Sequence, residues 1–236
     1  MNSTDDSSDT LNGMTPEPMG ARRVVVLISG SGSNLQALIE AQQHDRLGGE
    51  IVAVISNEPD AYGLQRSHEA GIEAVALPHR EYDSRDAYDG ALIKVIERHE
   101  PDVIVLAGFM RILTPRFVQR FLGRMLNIHP SLLPAFKGLH VHQRAIDAGV
   151  RISGATVHFV RPEMDEGPIV AQAAVPVLPD DTADVLAERI LAAEHKLYPF
   201  ALRLVAEGKA RVAGERVVIS DGIPDAPAPI FMPPLG

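Results

Sequence analysis

The run Val24-Val25-Val26-Leu27-Ile28 passes directly into Ser29-Gly30-Ser31-Gly32-Ser33-Asn34, after which Leu35, Leu38 and Ile39 recur at helical spacing. Five apolar residues without polar alternation mark a strand buried on both faces. The glycine-rich turn therefore joins a central strand to a helix. Such a junction gathers unpaired backbone N–H groups at the positive end of the helix dipole, which suits a phosphate. A dinucleotide fingerprint needs a third glycine where Leu35 stands, and no Gly-Lys-Ser/Thr follows, so a nicotinamide site and a P-loop are both disfavoured. What remains is a phosphate monoester site, beside the plainer reading of a tight turn with an Asn or Ser N-cap.

Outward from this junction the pattern repeats. Residues 51–55 read as a second strand, followed by a helix that ends at Ala70-Gly71, and residues 72–77 as a third strand. Tyr88, Leu92, Val95 and Ile96 form an amphipathic helix that stops before Pro101, and residues 103–107 and 125–128 give a fourth and a fifth strand. Strands alternating with helices predict a mostly parallel sheet. Beyond residue 150 the rhythm changes. Residues 155–160 and 169–177 are two strands with no helix between them, so they pair antiparallel. Thr182 opens a helix to about Glu207, with Val185, Leu186, Ile190, Leu191 and Leu197 at core spacing, and residues 211–219 make a weak strand pair turning at Gly214. The expectation is an α/β fold: a mostly parallel mixed sheet with helices on both faces and a late antiparallel strand pair.

Composition narrows the functional class. The chain has 236 residues, 45% hydrophobic, with 22 basic and 31 acidic side chains for a net charge of −9. Residues 1–20 contribute −4 of this and residues 220–236 a further −2, which leaves −3 for residues 21–219. The first segment reads as a disordered leader, the last as an irregular Pro-rich tail, and the body as one domain. The absence of cysteine excludes disulfides, thiolate metal sites and cysteine nucleophiles. No apolar stretch approaches the roughly 20 residues needed to span a bilayer. The polar, acidic start lacks a secretory plan. The acidic balance argues against nucleic acid as a partner. A cytoplasmic protein with small-molecule substrates is expected, as a monomer or homodimer.

Candidate chemistry sits in Leu126-Asn127-Ile128-His129-Pro130. Asn127 and His129 are two apart on a short strand and so leave the same face. An amide and an imidazole side by side can donate to one developing oxyanion, and histidine can pass a proton near neutral pH. Asp165 lies in the turn between the two late strands. A carboxylate brought beside His129 would stabilise its protonated form and could order a water between them.

Four segments in order then carry a specific resemblance: Gly30-Ser31-Gly32-Ser33-Asn34-Leu35, Leu106-Ala107-Gly108-Phe109-Met110-Arg111-Ile112-Leu113, Asn127-Ile128-His129-Pro130-Ser131-Leu132-Leu133-Pro134, and Gly154-Ala155-Thr156-Val157-His158-Phe159 with Asp165. From about Arg22 to Arg211 the chain resembles the folate-dependent phosphoribosylglycinamide formyltransferases of purine synthesis. The resemblance implies a single Rossmann-like formyltransferase domain in which the amine of glycinamide ribonucleotide attacks the formyl carbon of 10-formyltetrahydrofolate directly. It implies that Asn127 and protonated His129 stabilise the oxyanion, that His129 donates the proton, and that Asp165 keeps His129 charged. Gly32, Ser33 and Asn34 match the substrate-phosphate loop, and Glu194 matches an acid near the ribose and glycinamide end. Met110, Arg111, Ile112 and Leu113 match the segment on which the pterin rests, mainly through backbone groups. Arg161, Pro162, Glu163, Met164 and Asp165 close the other side of that pocket, and Arg85 matches a cation for the folate's carboxylate-bearing tail.

One departure stands out: Leu191 occupies a position where relatives often carry a polar or basic side chain near the phosphate. No metal is expected, because His140 and His142 lack a third ligand and no His-Glu-x-x-His pattern occurs. Residues 136–138 suggest a mobile loop flanking the site. His158 reads as packed or site-lining, and His44, His68, His79, His99 and His195 as surface positions. A formyltetrahydrofolate deformylase would use the same Asn-His-Asp set, but it usually carries an N-terminal regulatory domain for which a 20-residue leader leaves no room, and it lacks the Gly-Ser-Asn turn. A methionyl-tRNA formyltransferase would add a C-terminal barrel and a basic surface. A binding module would hold ligand without formyl transfer.

Overall fold

Val24, Val25, Val26, Leu27 and Ile28 are all 0% exposed, so the unbroken apolar run is a strand covered on both faces. The computed structural model describes residues 21–220 and residue 232. The expected leader and the rest of the expected tail lie outside the described residues. Strand β1 (Arg22–Ile28) sends Val24, Val26 and Ile28 into one core and Val25 and Leu27 into another. Full burial of side chains this size contributes about 1.5–3 kcal/mol each, so β1 anchors both layers.

The chain continues through α1 (Ser33–Gln43), β2 (Gly49–Ser56), α2 (Tyr62–Glu69), β3 (Glu73–Ala76), α3 (Arg85–Glu97), β4 (Val103–Leu106) and α4 (Pro115–Arg120). It then forms β5 (Met125–His129), α5 (Val141–Asp147), β6 (Ile152–Phe159), β7 (Ile169–Pro176), α6 (Ala183–Ala206), β8 (Ala210–Ala213) and β9 (Arg216–Ile219). One sheet runs in the order β3-β2-β1-β4-β5-β6-β7, with β1 to β5 parallel and β6 and β7 antiparallel. Strands β8 and β9 pair separately. Helices α1, α5 and α6 cover one face of the large sheet, and α3 and α4 cover the other.

The expected α/β class and the antiparallel turn of the late strands are both present. Local differences have simple causes. The third strand is shorter than predicted, since it lies at the sheet edge and pairs only with β2. The fifth runs one residue further, to His129, where Pro130 ends it. Helix α6 starts as predicted, with Thr182 Oγ1 accepting from the Val185 amide at 3.3 Å. Val185, expected in the core, is 46% exposed, because it sits on the outer side of the first turn.

The strand order positions the site. From β1 the chain moves outward to β2 and β3, then returns past β1 to β4. The loops after β1 and β4 therefore diverge and leave a crevice at the carboxyl ends of the two strands. Tyr198 of α6 fixes the floor of this crevice from below. Its buried hydroxyl lies 2.9 Å from the Leu106 carbonyl and 3.1 Å from the Leu126 carbonyl. Tyr198→Phe takes the donor from both buried acceptors and lowers the free energy of unfolding by about 1–3 kcal/mol, read by urea denaturation. An unchanged midpoint would show that α6 docks through packing alone.

Candidate active site

Gly32 stands at the N-cap of α1 with φ of 68° and no side chain to cap the helix. The alternative of an Asn or Ser N-cap is therefore not realised, and no side chain takes the first-turn N–H groups. The position admits only glycine: a Cβ on Gly32 would lie 2.7 Å from the Cα of Gly63. Asn34 is turned inward, donating through Nδ2 to Glu194 Oε2 at 2.8 Å. Both side chains are buried, Asn34 at 9% exposure and Glu194 at 6%. Burial pushes the Glu194 carboxyl above its ordinary range, and the Asn34 amide only partly offsets this. Leu191 lies one turn earlier on α6.

Across the crevice, β5 alternates Leu126 and Ile128 into the core beneath α6 and Met125 into the opposite core. Asn127 and His129 share the Met125 face, at the end where that core stops. Register with β6 sets His158 opposite Asn127 and Thr156 opposite His129. His158 is 2% exposed, and its Nδ1 lies 3.0 Å from the Phe159 carbonyl, so that nitrogen carries the proton and donates. Its Nε2 then accepts from Asn127 Nδ2 at 3.3 Å. Burial holds His158 below the ordinary histidine range, in keeping with this neutral tautomer, against the opposing influence of the Phe159 carbonyl and Asp165.

His129 donates from Nε2 to the Phe136 carbonyl at 3.0 Å, and its Nδ1 faces Asp165 Oδ2 at 3.4 Å. Asp165 Oδ1 is 3.9 Å from His158 Nε2, so one carboxylate stands beside both imidazoles. Asp165 holds φ of 56° and accepts from the Gly138 amide at 2.9 Å. A second tie, Lys137 to Glu166 at 2.6 Å, joins the same two loops. The loop containing residues 136–138 thus flanks the site as expected.

The other wall follows β4. Ser29 Oγ accepts from the Met110 amide at 2.7 Å and donates to Asn57 Oδ1 at 2.5 Å, tying this loop to the turn after β1. The Met110 amide is thereby committed to protein, while among the described residues the amides of Arg111, Ile112 and Leu113 have no protein acceptor. Met110 and Ile112 expose their side chains, and Met164 does so from the facing loop. Arg161 is half-buried and Pro162 and Glu163 are exposed on that loop. Arg111 stacks over Tyr88, its guanidinium carbon 4.6 Å from the ring centroid. Arg85 is exposed in the first turn of α3, the unfavourable end of the helix dipole for a cation. One turn on, Asp89 accepts from the Thr114 amide at 2.7 Å and binds α3 to this loop.

Residues 22–202 match the formyl transferase family. This chain belongs to that family. It is 49% identical over 189 residues to the phosphoribosylglycinamide formyltransferase of Escherichia coli (strain K12), covering 80% of this chain and 89% of that protein. The crystal structure of glycinamide ribonucleotide transformylase 1 from Symbiobacterium toebii superposes with a TM-score of 0.83 at 48% identity, covering 85% of this chain and 95% of that one. A formyltetrahydrofolate deformylase from Pseudomonas syringae pv. tomato is also similar, at a TM-score of 0.78 and 28% identity over 85% of this chain and 66% of that one.

The formyl transferase core thus brings Asn127, His129 and Asp165 together, and places Gly32, Ser33, Asn34 and Glu194 together opposite them. Met110 through Leu113 and residues 161–165 face each other from two loops. Sequence reasoning left His158 without a partner, although its place opposite Asn127 was encoded in the pairing of two predicted strands. Ser29, a serine at the head of the Gly-rich turn, likewise gives no local signal of its bond to the Met110 amide. Of the histidines expected at the surface, His44 and His68 are exposed, but His79, His99 and His195 are partly buried against neighbouring elements. Burial, and after it the charge of His129, lower His142 below the ordinary range. Among the described residues no group of three metal-ligating side chains occurs.

The raised Glu194 sets a pH dependence. The folded state binds the proton more tightly than the unfolded state, so stability from this group is present at low pH and is lost as pH rises through the folded-state titration. Glu194→Gln removes that loss. The variant melts higher than the parent at about pH 8, and the gap closes toward about pH 4, followed by thermal denaturation across pH. A gap independent of pH would show that Glu194 does not titrate in the fold.

Proposed function

We propose that this chain transfers the formyl group of 10-formyltetrahydrofolate to the amine of glycinamide ribonucleotide, giving the N-formyl product and tetrahydrofolate in purine biosynthesis. The observation that carries the reading is the pairing, within a formyl transferase fold, of an uncapped helix N-terminus with the Asn127, His129 and Asp165 cluster across one crevice. The first supports a phosphate and the second an acyl-transfer centre. Identity of 49% to a phosphoribosylglycinamide formyltransferase adds independent support.

In this reading Gly32, Ser33 and Asn34 hold the substrate phosphate through backbone N–H groups, and Glu194 meets the ribose and glycinamide end. The unpaired amides of Arg111, Ile112 and Leu113 meet the polar edge of the pterin, while Met110, Ile112 and Met164 cover its faces. Arg161, Pro162 and Glu163 close that pocket, and Arg85 meets the anionic folate tail. No metal is required. The amine nitrogen forms the new bond to the formyl carbon as the bond from that carbon to the folate nitrogen breaks. The proton lost by the amine balances the one gained by that nitrogen. Asn127 has one N–H on His158 and one left for the oxyanion. His129 donates a proton to the leaving nitrogen, and Asp165 is its charge partner. Partners are small molecules rather than nucleic acid, and the protein works in the cytoplasm as a monomer or homodimer. Among the described residues, no helix is long and apolar enough to cross a membrane.

The purified protein should release tetrahydrofolate from 10-formyltetrahydrofolate only when glycinamide ribonucleotide is supplied. Equal turnover with water alone would instead identify a deformylase. His129→Ala should lower kcat by about 10²–10⁴-fold with little change in either KM, and a variant of near-normal kcat would remove His129 from the mechanism.

A further inference from the structure

Leu191 offers no charge to the phosphate turn from α6, yet a cation stands beside that turn from α2. Arg66 donates from Nε to the Ser31 carbonyl at 2.9 Å and from Nη1 to Gln36 Oε1 at 3.0 Å. Its Cδ lies 3.6 Å from where a Gly32 Cβ would sit, and its guanidinium carbon is 4.8 Å from the Tyr62 ring centroid. The side chain is held on three sides against the start of α1. Two of the five guanidinium N–H groups are used, which leaves three. Among the described residues no carboxylate pairs with it within ion-pair distance. A fixed, unneutralised cation at the positive end of a helix is unfavourable unless an anion joins them. Asn34, in the same first turn and nine-tenths buried, also has an Oδ1 with no donor among the described residues, an acceptor suited to a ligand hydroxyl. Arg66 and Ser33 line one groove of about 590 Å³.

We propose that Arg66 is a binding residue for the substrate's phosphate, supplying from α2 the cation that Leu191 does not supply from α6. This rests on the phosphorylated amine substrate assigned above. Its two protein bonds pre-set the guanidinium, so little side-chain entropy is lost when the phosphate arrives.

Kinetics with glycinamide ribonucleotide and with the riboside lacking the phosphate test the assignment. Arg66→Met should raise KM for the ribonucleotide about 10- to 100-fold, with kcat and the KM for the formyl donor within about twofold. Arg66→Lys should fall between variant and parent. With the riboside, parent and Arg66→Met should have kcat/KM values within about twofold, because the contact is missing from both. An equal loss with both substrates would make Arg66 structural and overturn the proposal, as would an unchanged KM for the ribonucleotide. Should Arg66→Met fail to fold, Arg66→Lys carries the same comparison. A parent that transfers no formyl group to the ribonucleotide would overturn the substrate reading and this assignment with it, whereas an active parent with equal losses overturns Arg66 alone.

Discussion

The contact between Gly32 and Gly63 sets the geometry at the start of α1. A Cβ on the first would meet the Cα of the second at 2.7 Å, and a Cβ on the second would collide with Ile28 Cδ1. Only two bare backbones let α2 approach the start of α1 so closely, and the Gly63 amide uses that approach to donate to the Gly30 carbonyl at 3.1 Å. Gly32 at the N-cap leaves the first turn of α1 without a side-chain acceptor, and α2 brings Arg66 alongside. Ser29, on the same turn, fixes the Met110 loop across the crevice. A side chain at either glycine would thus disturb the helix end, the neighbouring cation and the loop on the far wall together.

The Asn127 side of the crevice depends on burial of a different kind. Asn127, His129, His158 and Asp165 lie where a sheet face runs out of apolar cover, and unpaired polar groups there would each cost more than a lost hydrogen bond. The cluster avoids this by a chain in which each bond fixes the next. The Phe159 carbonyl assigns the His158 proton to Nδ1, so Nε2 is an acceptor, and this orients the Asn127 amide with its nitrogen toward His158. The Phe136 carbonyl holds His129 on one edge and Asp165 faces the other. A backbone carbonyl fixes one nitrogen of each histidine, and the single carboxylate of Asp165 stands beside the other nitrogen of both.

Local signals made much of this legible in the sequence. The apolar run from Val24 to Ile28 declared a doubly covered strand, and the spacing of Asn127 and His129 put both on one face. What escaped depends on contacts between distant segments. His158 is unremarkable in its own strand and acquires a role only through its register against Asn127. Glu194 on an amphipathic helix shows one more charge, and nothing local reveals that it is buried against Asn34. Val185 has the helical spacing of a core residue but sits in a first turn that overhangs the sheet. Arg66 is an ordinary arginine near the end of a helix until the glycine contact puts it beside the turn.

The charge distribution acquires meaning from these positions. Of the −9, the segments 1–20 and 220–236 carry −6 and the body −3. A mildly acidic body repels dianions at long range, and screening reduces that repulsion beyond about 10 Å at ordinary ionic strength. Recognition of an anion must then come from groups at contact distance. Backbone N–H groups at α1 supply donors without changing the charge of the body. A pinned arginine adds a directed, multiply donating cation where a flexible lysine on α6 would have to be ordered by the ligand itself. With Leu191 uncharged, the proposed phosphate contact on this side of the crevice rests on Arg66 and the start of α1, a cation held in place rather than one ordered by the ligand.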